Sequence, residues 1–175
     1  LNLIQYFTQY DAGVRMNLQI KPIGVIRTPF KSEDSIPIQA SKSETIAEVE
    51  LLPEYIEGLD SLDEFSHIIL VYWFHRAKPC ALSVTPFLDS MERGLFSTRA
   101  PTRPNPIGLS IVKVVQIEGN IVRFIGADML NDTPLIDIKP FIPEFDNRLD
   151  ATSGWLAESI FTKVDEYKGD DRFLR

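Results

Sequence analysis

Apolar and polar positions alternate with a period of two along most of this chain, and a helical period appears only near its C-terminal end. Residues 20–27, Ile-Lys-Pro-Ile-Gly-Val-Ile-Arg, read as a strand in which Pro22 and Gly24 mark an edge or a bend. Residues 28–43 form a polar loop containing Pro37. Ala47, Val49 and Leu51 alternate with Glu48, Glu50 and Leu52, which predicts a half-buried strand with an acidic outer face. Pro53 suits the first position of a helical turn over 53–59. Residues 66–76 are apolar on both faces, the pattern of a central strand. A short β segment follows at 82–85, and Glu118-Gly119-Asn120 joins strands 110–117 and 121–127 as a hairpin. One more short strand covers 135–138. Leu156, Ile160, Phe161, Val164 and Tyr167 then share one helical face, with Thr152 or Ser153 as the cap.

Six or seven short strands without βαβ alternation predict a mainly β protein: an antiparallel or mixed barrel with a few short helices and a C-terminal helix. No Gly-x-Gly-x-x-Gly follows a strand, which argues against a Rossmann nucleotide site. The chain divides into an N-terminal extension over 1–15, a barrel domain over 16–150 and a helical tail over 151–175. Met16 directly precedes the first convincing strand and is read as the natural start; an N-terminal helix is the alternative for 1–15.

The hydrophobic rhythm breaks at residues 94–108, Gly-Leu-Phe-Ser-Thr-Arg-Ala-Pro-Thr-Arg-Pro-Asn-Pro-Ile-Gly. Pro101, Pro104 and Pro106 each fix φ and remove a backbone donor, and each pushes the preceding residue to extended geometry. A stiff, extended loop results. It carries Arg99, Arg103 and Asn105. Held on a stiff backbone, an arginine fork loses little entropy when it clamps a carboxylate or phosphate. The competing reading pairs both arginines with an acidic surface and makes Asn105-Pro106 a turn.

Composition narrows the picture. With 175 residues, 44% of them hydrophobic, the chain suits one domain with a substantial core. No apolar run reaches the length of a membrane helix. One cysteine, Cys80, forbids an internal disulfide, and two histidines with one cysteine make a dedicated His/Cys metal site improbable. A reducing, cytoplasmic setting follows by default. The net charge of −7 argues against broad electrostatic binding of nucleic acid. That charge is patterned, however. Arg76, Lys78, Arg93, Arg99, Arg103 and Lys113 outnumber Asp89 and Glu92 in the middle of the chain, so an anionic ligand can still be held there.

His67 reads as a satisfied core histidine, whereas His75, at the exit of the central strand, is divided between ligand contact and structure. Asn131-Asp132-Thr133-Pro134 is a turn at strand ends, where binding groups concentrate. Asp137 and Lys139 share a face of the following strand, as functional residues or as a surface ion pair. No nucleophile elbow supports covalent hydrolase chemistry.

At these two clusters the chain resembles a known family. Residues 96–110, Phe-Ser-Thr-Arg-Ala-Pro-Thr-Arg-Pro-Asn-Pro-Ile-Gly-Leu-Ser, closely resemble the signature of the TsaA-like, or TrmO, family. Asp132-Thr133-Pro134 with Asp137-Ile138-Lys139-Pro140 is similar to its second block, and Ile23-Gly24-Val25-Ile26 and Phe65-Ser66-His67 also fit. The resemblance runs from about residue 20 to 146. It implies a single-sheet β-barrel and an S-adenosylmethionine-dependent tRNA (adenine-N6)-methyltransferase acting on N6-threonylcarbamoyladenosine at position 37, in the anticodon loop. It also implies a homodimer. Carried over by motif, the cofactor contacts are Pro37, Ile38, Gln39, His75, Arg76, Arg99, Leu109, Leu130, Asn131, Asp132 and Thr133. The family's Asp-Gly-Thr-Pro is replaced here by Asn131-Asp132-Thr133-Pro134; both residues tolerate left-handed geometry, so the turn is expected to persist. A urea nitrogen is a poor nucleophile, and a proton acceptor should help it. Asp137 and Asp132 are the candidates for that role, and Arg103, Asn105 and Lys139 for substrate binding. Two other readings stand beside this one: a non-catalytic RNA- or nucleotide-binding barrel, and a methyltransferase acting on a different RNA or small molecule.

Overall fold

The computed structural model describes residues 5–9 and 15–18 as backbone, and residues 19–32 and 36–157 in full. Two strands, β1 (Gln5–Gln9) and β2 (Arg15–Gln19), pair as an antiparallel hairpin, so the described part of the N-terminal extension is extended rather than helical. The barrel itself is made of β3 (Gly24–Arg27), β4 (Ile46–Leu51), β5 (His67–Trp73), β8 (Ile107–Glu118), β9 (Ile121–Ile125) and β10 (Thr133–Pro140). They close in the order β10-β3-β4-β9-β8-β5, antiparallel throughout. A minor sheet of β6 (Ser83–Val84) and β7 (Arg93–Gly94) lies between β5 and β8 in sequence.

Alternation explains why these segments close. Ile26, Val49, Ile68, Leu70, Val122, Phe124 and Leu135 have no exposed surface and fill the interior, as side chains must in a barrel of few strands. Pro53–Leu59 forms the expected turn, as a 3-10 helix with its proline at the start. The apolar outer face of β5 has a different cause from a two-sided core. Ile69, Val71 and Trp73 point outward and are half-buried, beside the exposed Leu109 and Ile111 of β8. His67 is half-buried rather than core: its Nδ1 lies 3.0 Å from Ser66 Oγ and its ring meets Phe141 edge-on.

Past β10, a single turn of helix, α1 (Pro143–Asp146), leads to a 3-10 turn at Gly154–Leu156. Ser153 precedes that turn without a side-chain capping bond. Of the predicted C-terminal helical face, Ile160, Phe161, Val164 and Tyr167 lie outside the described residues. Among the described residues no helix is long and apolar enough to cross a membrane.

Candidate functional site

At one end of the barrel the inward positions change from aliphatic to polar. Following β5 inward, Ile68 and Leu70 give way to Tyr72; on β8, Val112 is preceded by Ser110 and Gly108; on β10, Leu135 is preceded by Thr133. All of these residues are buried. The register places Gly108 opposite Tyr72, and a Cβ there would sit 2.2 Å from the tyrosine ring. Glycine at 108 thus lets the ring lie flat across the barrel mouth.

Above this layer is a cavity of about 480 Å³, a volume that suits a small-molecule ligand. Its wall is supplied by residues 36–39, Tyr72 with residues 74–77 at the end of β5, the proline loop with the start of β8, residues 128–130 with Thr133, and Phe87. The proline loop is anchored by more than its prolines. Leu95 and Ala100 bury against Val84 in a small cluster of their own, with Ala81 and Phe87 packed around it. Residues 95–97 form one 3-10 turn, and Trp155 donates its indole N–H to Ser97 O at 2.9 Å while Arg93 stacks over its ring.

The two loop arginines differ in what they do. Arg99 is exposed and donates from Nη1 to Gln39 Oε1 at 2.9 Å across the cavity rim. Arg103 folds back on the loop: its Nη1 donates to Thr98 O at 3.0 Å and its guanidinium lies 5.7 Å from the Phe96 ring centroid. Neither pairs with an acidic surface in the described residues.

Beneath the rim runs a chain of polar groups. Ser110 Oγ donates to Asp128 Oδ1 at 2.6 Å, so the Tyr72 hydroxyl, 3.0 Å from Ser110 Oγ, must donate to it. Burial is the main influence on Asp128 and raises its carboxyl from 3.8 to about 6. The Ser110 hydroxyl, the backbone N–H groups of Ala40 and Asp128, and Arg99 moderate that rise. Burial, with the Asp128 charge second, likewise raises the Tyr72 phenol far above its ordinary value. His75 is pushed the other way, lowered first by burial and then by the neighbouring Arg76 cation. Its Nδ1 is 3.5 Å from Thr133 Oγ1, which donates to Leu130 O at 2.7 Å.

The structure brings many of the candidate residues together. Pro37, Ile38, Gln39, His75, Arg76, Arg99, Arg103, Leu109, Leu130 and Thr133 all line the cavity. Five others stand outside the lining. Asn105 is exposed, its carbonyl closing a turn with Ile107 N. Asn131 accepts the Thr28 N–H on its Oδ1 at 3.0 Å and so ties the turn to the end of β3. Asp132 adopts the left-handed conformation at φ 62° and pairs with Arg27 on the surface. Asp137 and Lys139 form an ion pair at 2.6 Å on the outer face of β10. Sequence reasoning passed over Asp128, Ser110 and Tyr72. Their signal was parity: each polar group falls on the inward side of, or directly after, a strand whose other inward residues are aliphatic.

Residues 25–147 match the family described as the tRNA-methyltransferase O N-terminal domain. A probable S-adenosyl-L-methionine-binding protein of Pyrococcus abyssi is 49% identical over 155 residues, covering 88% of this chain and 84% of that protein. The human tRNA (adenine(37)-N6)-methyltransferase is 35% identical over 141 residues, which are 75% of this chain and 32% of that protein. The crystal structure of TrmO from Pseudomonas aeruginosa superposes with a TM-score of 0.68 at 36% identity, covering 80% of this chain. The matched region spans 63% of that TrmO chain.

Proposed function

The chain belongs to the tRNA-methyltransferase O family, and on that premise we propose that it binds S-adenosylmethionine in the cavity at the barrel mouth and methylates adenine N6 at position 37 of tRNA. The threonylcarbamoyl form of that adenine is the substrate in this reading. The observation that carries it is the placement of Arg99, a guanidinium at the rim of a cavity with both apolar and polar walls, fixed by one bond to Gln39. An arginine fork there suits the donor's α-carboxylate, and the Asp128 carboxyl below it suits a neighbourhood that must tolerate positive charge.

When bound, S-adenosylmethionine supplies an electrophilic methyl group on a sulfonium. The residues of the chain would do the rest by position. Arg99 and Gln39 hold the anionic end, while Ile38, Phe74 and Leu130 exclude water from the apolar part. Methyl transfer is an in-line displacement whose main demand is alignment, and a stiff loop supplies it. His75, its pKa lowered, is neutral near pH 7 and accepts or donates one hydrogen bond without adding charge. Arg103 lines the same rim, where it can meet a tRNA phosphate.

The same proposal includes a homodimer. Val71, Trp73, Leu109 and Ile111 form an apolar outer face on β5 and β8; Leu109 is 59% exposed and also lines the cavity. A second copy covering that face would stand at the cavity mouth. One exposed free thiol, Cys80, fits a cytoplasmic location.

Calorimetric titration with S-adenosylmethionine tests the cofactor, and mass spectrometry of tRNA nucleosides after incubation tests the product. Arg99→Ala should weaken donor binding about 10- to 100-fold, the worth of one charge-assisted hydrogen bond. No binding by the unaltered chain would refute the reading. Equal transfer to tRNA with and without threonylcarbamoyladenosine would refute the substrate assignment.

A further inference from the structure

The methyl-transfer reading leaves one chemical need unassigned: an N6 nitrogen that takes up a methyl group must also shed a proton. Asp132 is exposed and paired with Arg27, and Asp137 is paired with Lys139 on the outer face of the barrel. Among the described residues Asp128 is the one carboxyl group in the cavity wall. We propose, on the basis of that reading, that Asp128 is the catalytic proton acceptor, held toward the cavity by the Tyr72–Ser110 hydroxyl chain.

The geometry supports both halves of this statement. A carboxylate has about four lone-pair sites, and Asp128 fills part of them with the Ser110 hydroxyl at 2.6 Å, the Ala40 N–H and its own N–H. Those donors fix its orientation and leave capacity for a further donor from the cavity side. In the step itself the N6–H bond breaks and its proton passes to an Asp128 oxygen. The methyl group leaves the donor's sulfur for the nitrogen, so the sulfonium becomes a neutral thioether and the charges balance. Of the cationic and titratable groups in the same cavity wall, Arg99 from the proline loop and Tyr72 across the barrel mouth act on Asp128, while Arg103, His75 and Arg76 complete the lining. Arg99 favours the ionised form, and Tyr72 stays protonated as a donor.

Site-specific carboxyl NMR on the full chain reads the group without turnover: Asp128 should titrate near pH 6. Ser110→Ala should raise that midpoint, because the hydroxyl that stabilises the anion is gone. The acid limb of methyl transfer should lie at the NMR midpoint in both proteins and move with it. Asp128→Asn, assayed in single turnover at saturating S-adenosylmethionine, should lower the transfer rate 100-fold or more. Transfer by Asp128→Asn within threefold of the unaltered chain overturns the proposal. If that variant fails to bind the donor, the Ser110→Ala comparison decides: an acid limb that ignores the shifted midpoint overturns it equally. An unaltered chain that binds the donor but methylates no tRNA removes the underlying reading, whereas an active Asp128→Asn removes only this inference.

Discussion

Replacing Gly108 with alanine places a methyl group where the structure has no room. The added Cβ would lie 2.2 Å from Tyr72 Cε2, 2.5 Å from its Cζ and 2.9 Å from Phe74 Cζ. Ordinary carbon contacts need 3.5–4.0 Å, so the Tyr72 ring must tilt or β8 must move away from β5. Tilting is resisted because the ring is 3% exposed, packs edge-on against Phe74 at 5.3 Å and donates from its hydroxyl to Ser110. Overpacking of this kind costs about 1–3 kcal/mol, and loss of a buried hydroxyl's partner adds about 1 kcal/mol or more. Together, roughly 2–4 kcal/mol should lower the melting temperature by about 5–15 °C in a chain of this size. Calorimetry or circular dichroism on Gly108→Ala measures it directly. In a Tyr72→Leu background the two closest ring atoms are gone and only Phe74 Cζ remains within 3 Å, so the same glycine change should cost at least about 1 kcal/mol less. A melting temperature within 2 °C of the unaltered protein, or an equal penalty in both backgrounds, would refute the reasoning.

Further expectations concern the clasps around the cavity and the titration of its floor. Ser43, 6% exposed, donates to Ala127 O at 2.6 Å and so ties the 36–43 segment to the end of β9; Ser43→Ala should cost about 1–3 kcal/mol in urea unfolding. Trp155→Ala removes the bond to Ser97 O and the platform under Arg93, and amides of residues 95–99 should exchange several-fold faster while the barrel strands keep their protection. Asp128 is raised from 3.8 to about 6 in the folded state, so it holds its proton more tightly there than in the unfolded chain. Between about pH 4 and 6 the unaltered protein should therefore lose stability relative to Asp128→Asn as pH rises, by about 3 kcal/mol in all, and level off above pH 6. His75 contributes the opposite slope: its lowered pKa makes protonation unfavourable, so His75→Gln should relieve a loss of stability on acidification below its ordinary value of 6.5. Chemical denaturation of the single variants across pH 4–8 separates the two.

Much of the barrel was legible because its information is local. Period-two alternation in Ala47, Val49 and Leu51, and the Glu118-Gly119-Asn120 turn, specify a strand and a hairpin whatever surrounds them. The turn at 131–134 shows the same legibility, since it was expected to persist without glycine, and Asp132 is the residue that takes the left-handed φ. Two readings depended on neighbours for their detail. The apolar faces of 66–76 signalled a central strand, and β5 does pair on both sides, with β10 and β8, while closure puts Ile69, Val71 and Trp73 on the outside of one sheet. The shared face of Asp137 and Lys139 was open between function and an ion pair, and the fold pairs the two on its outer face.

Arg99 and Arg103 sit four residues apart on one proline-stiffened strip, and nothing in their spacing tells which reaches out and which folds back. Local sterics decided that the strip is stiff, that the flanking segments are strands and that the turn at 131–134 survives without glycine. Barrel closure decided the site. It set Tyr72 of β5 opposite Gly108 and brought Ser110 to Asp128, 18 residues away, because hydrogen-bond register acts between strands and leaves no trace in either strand alone.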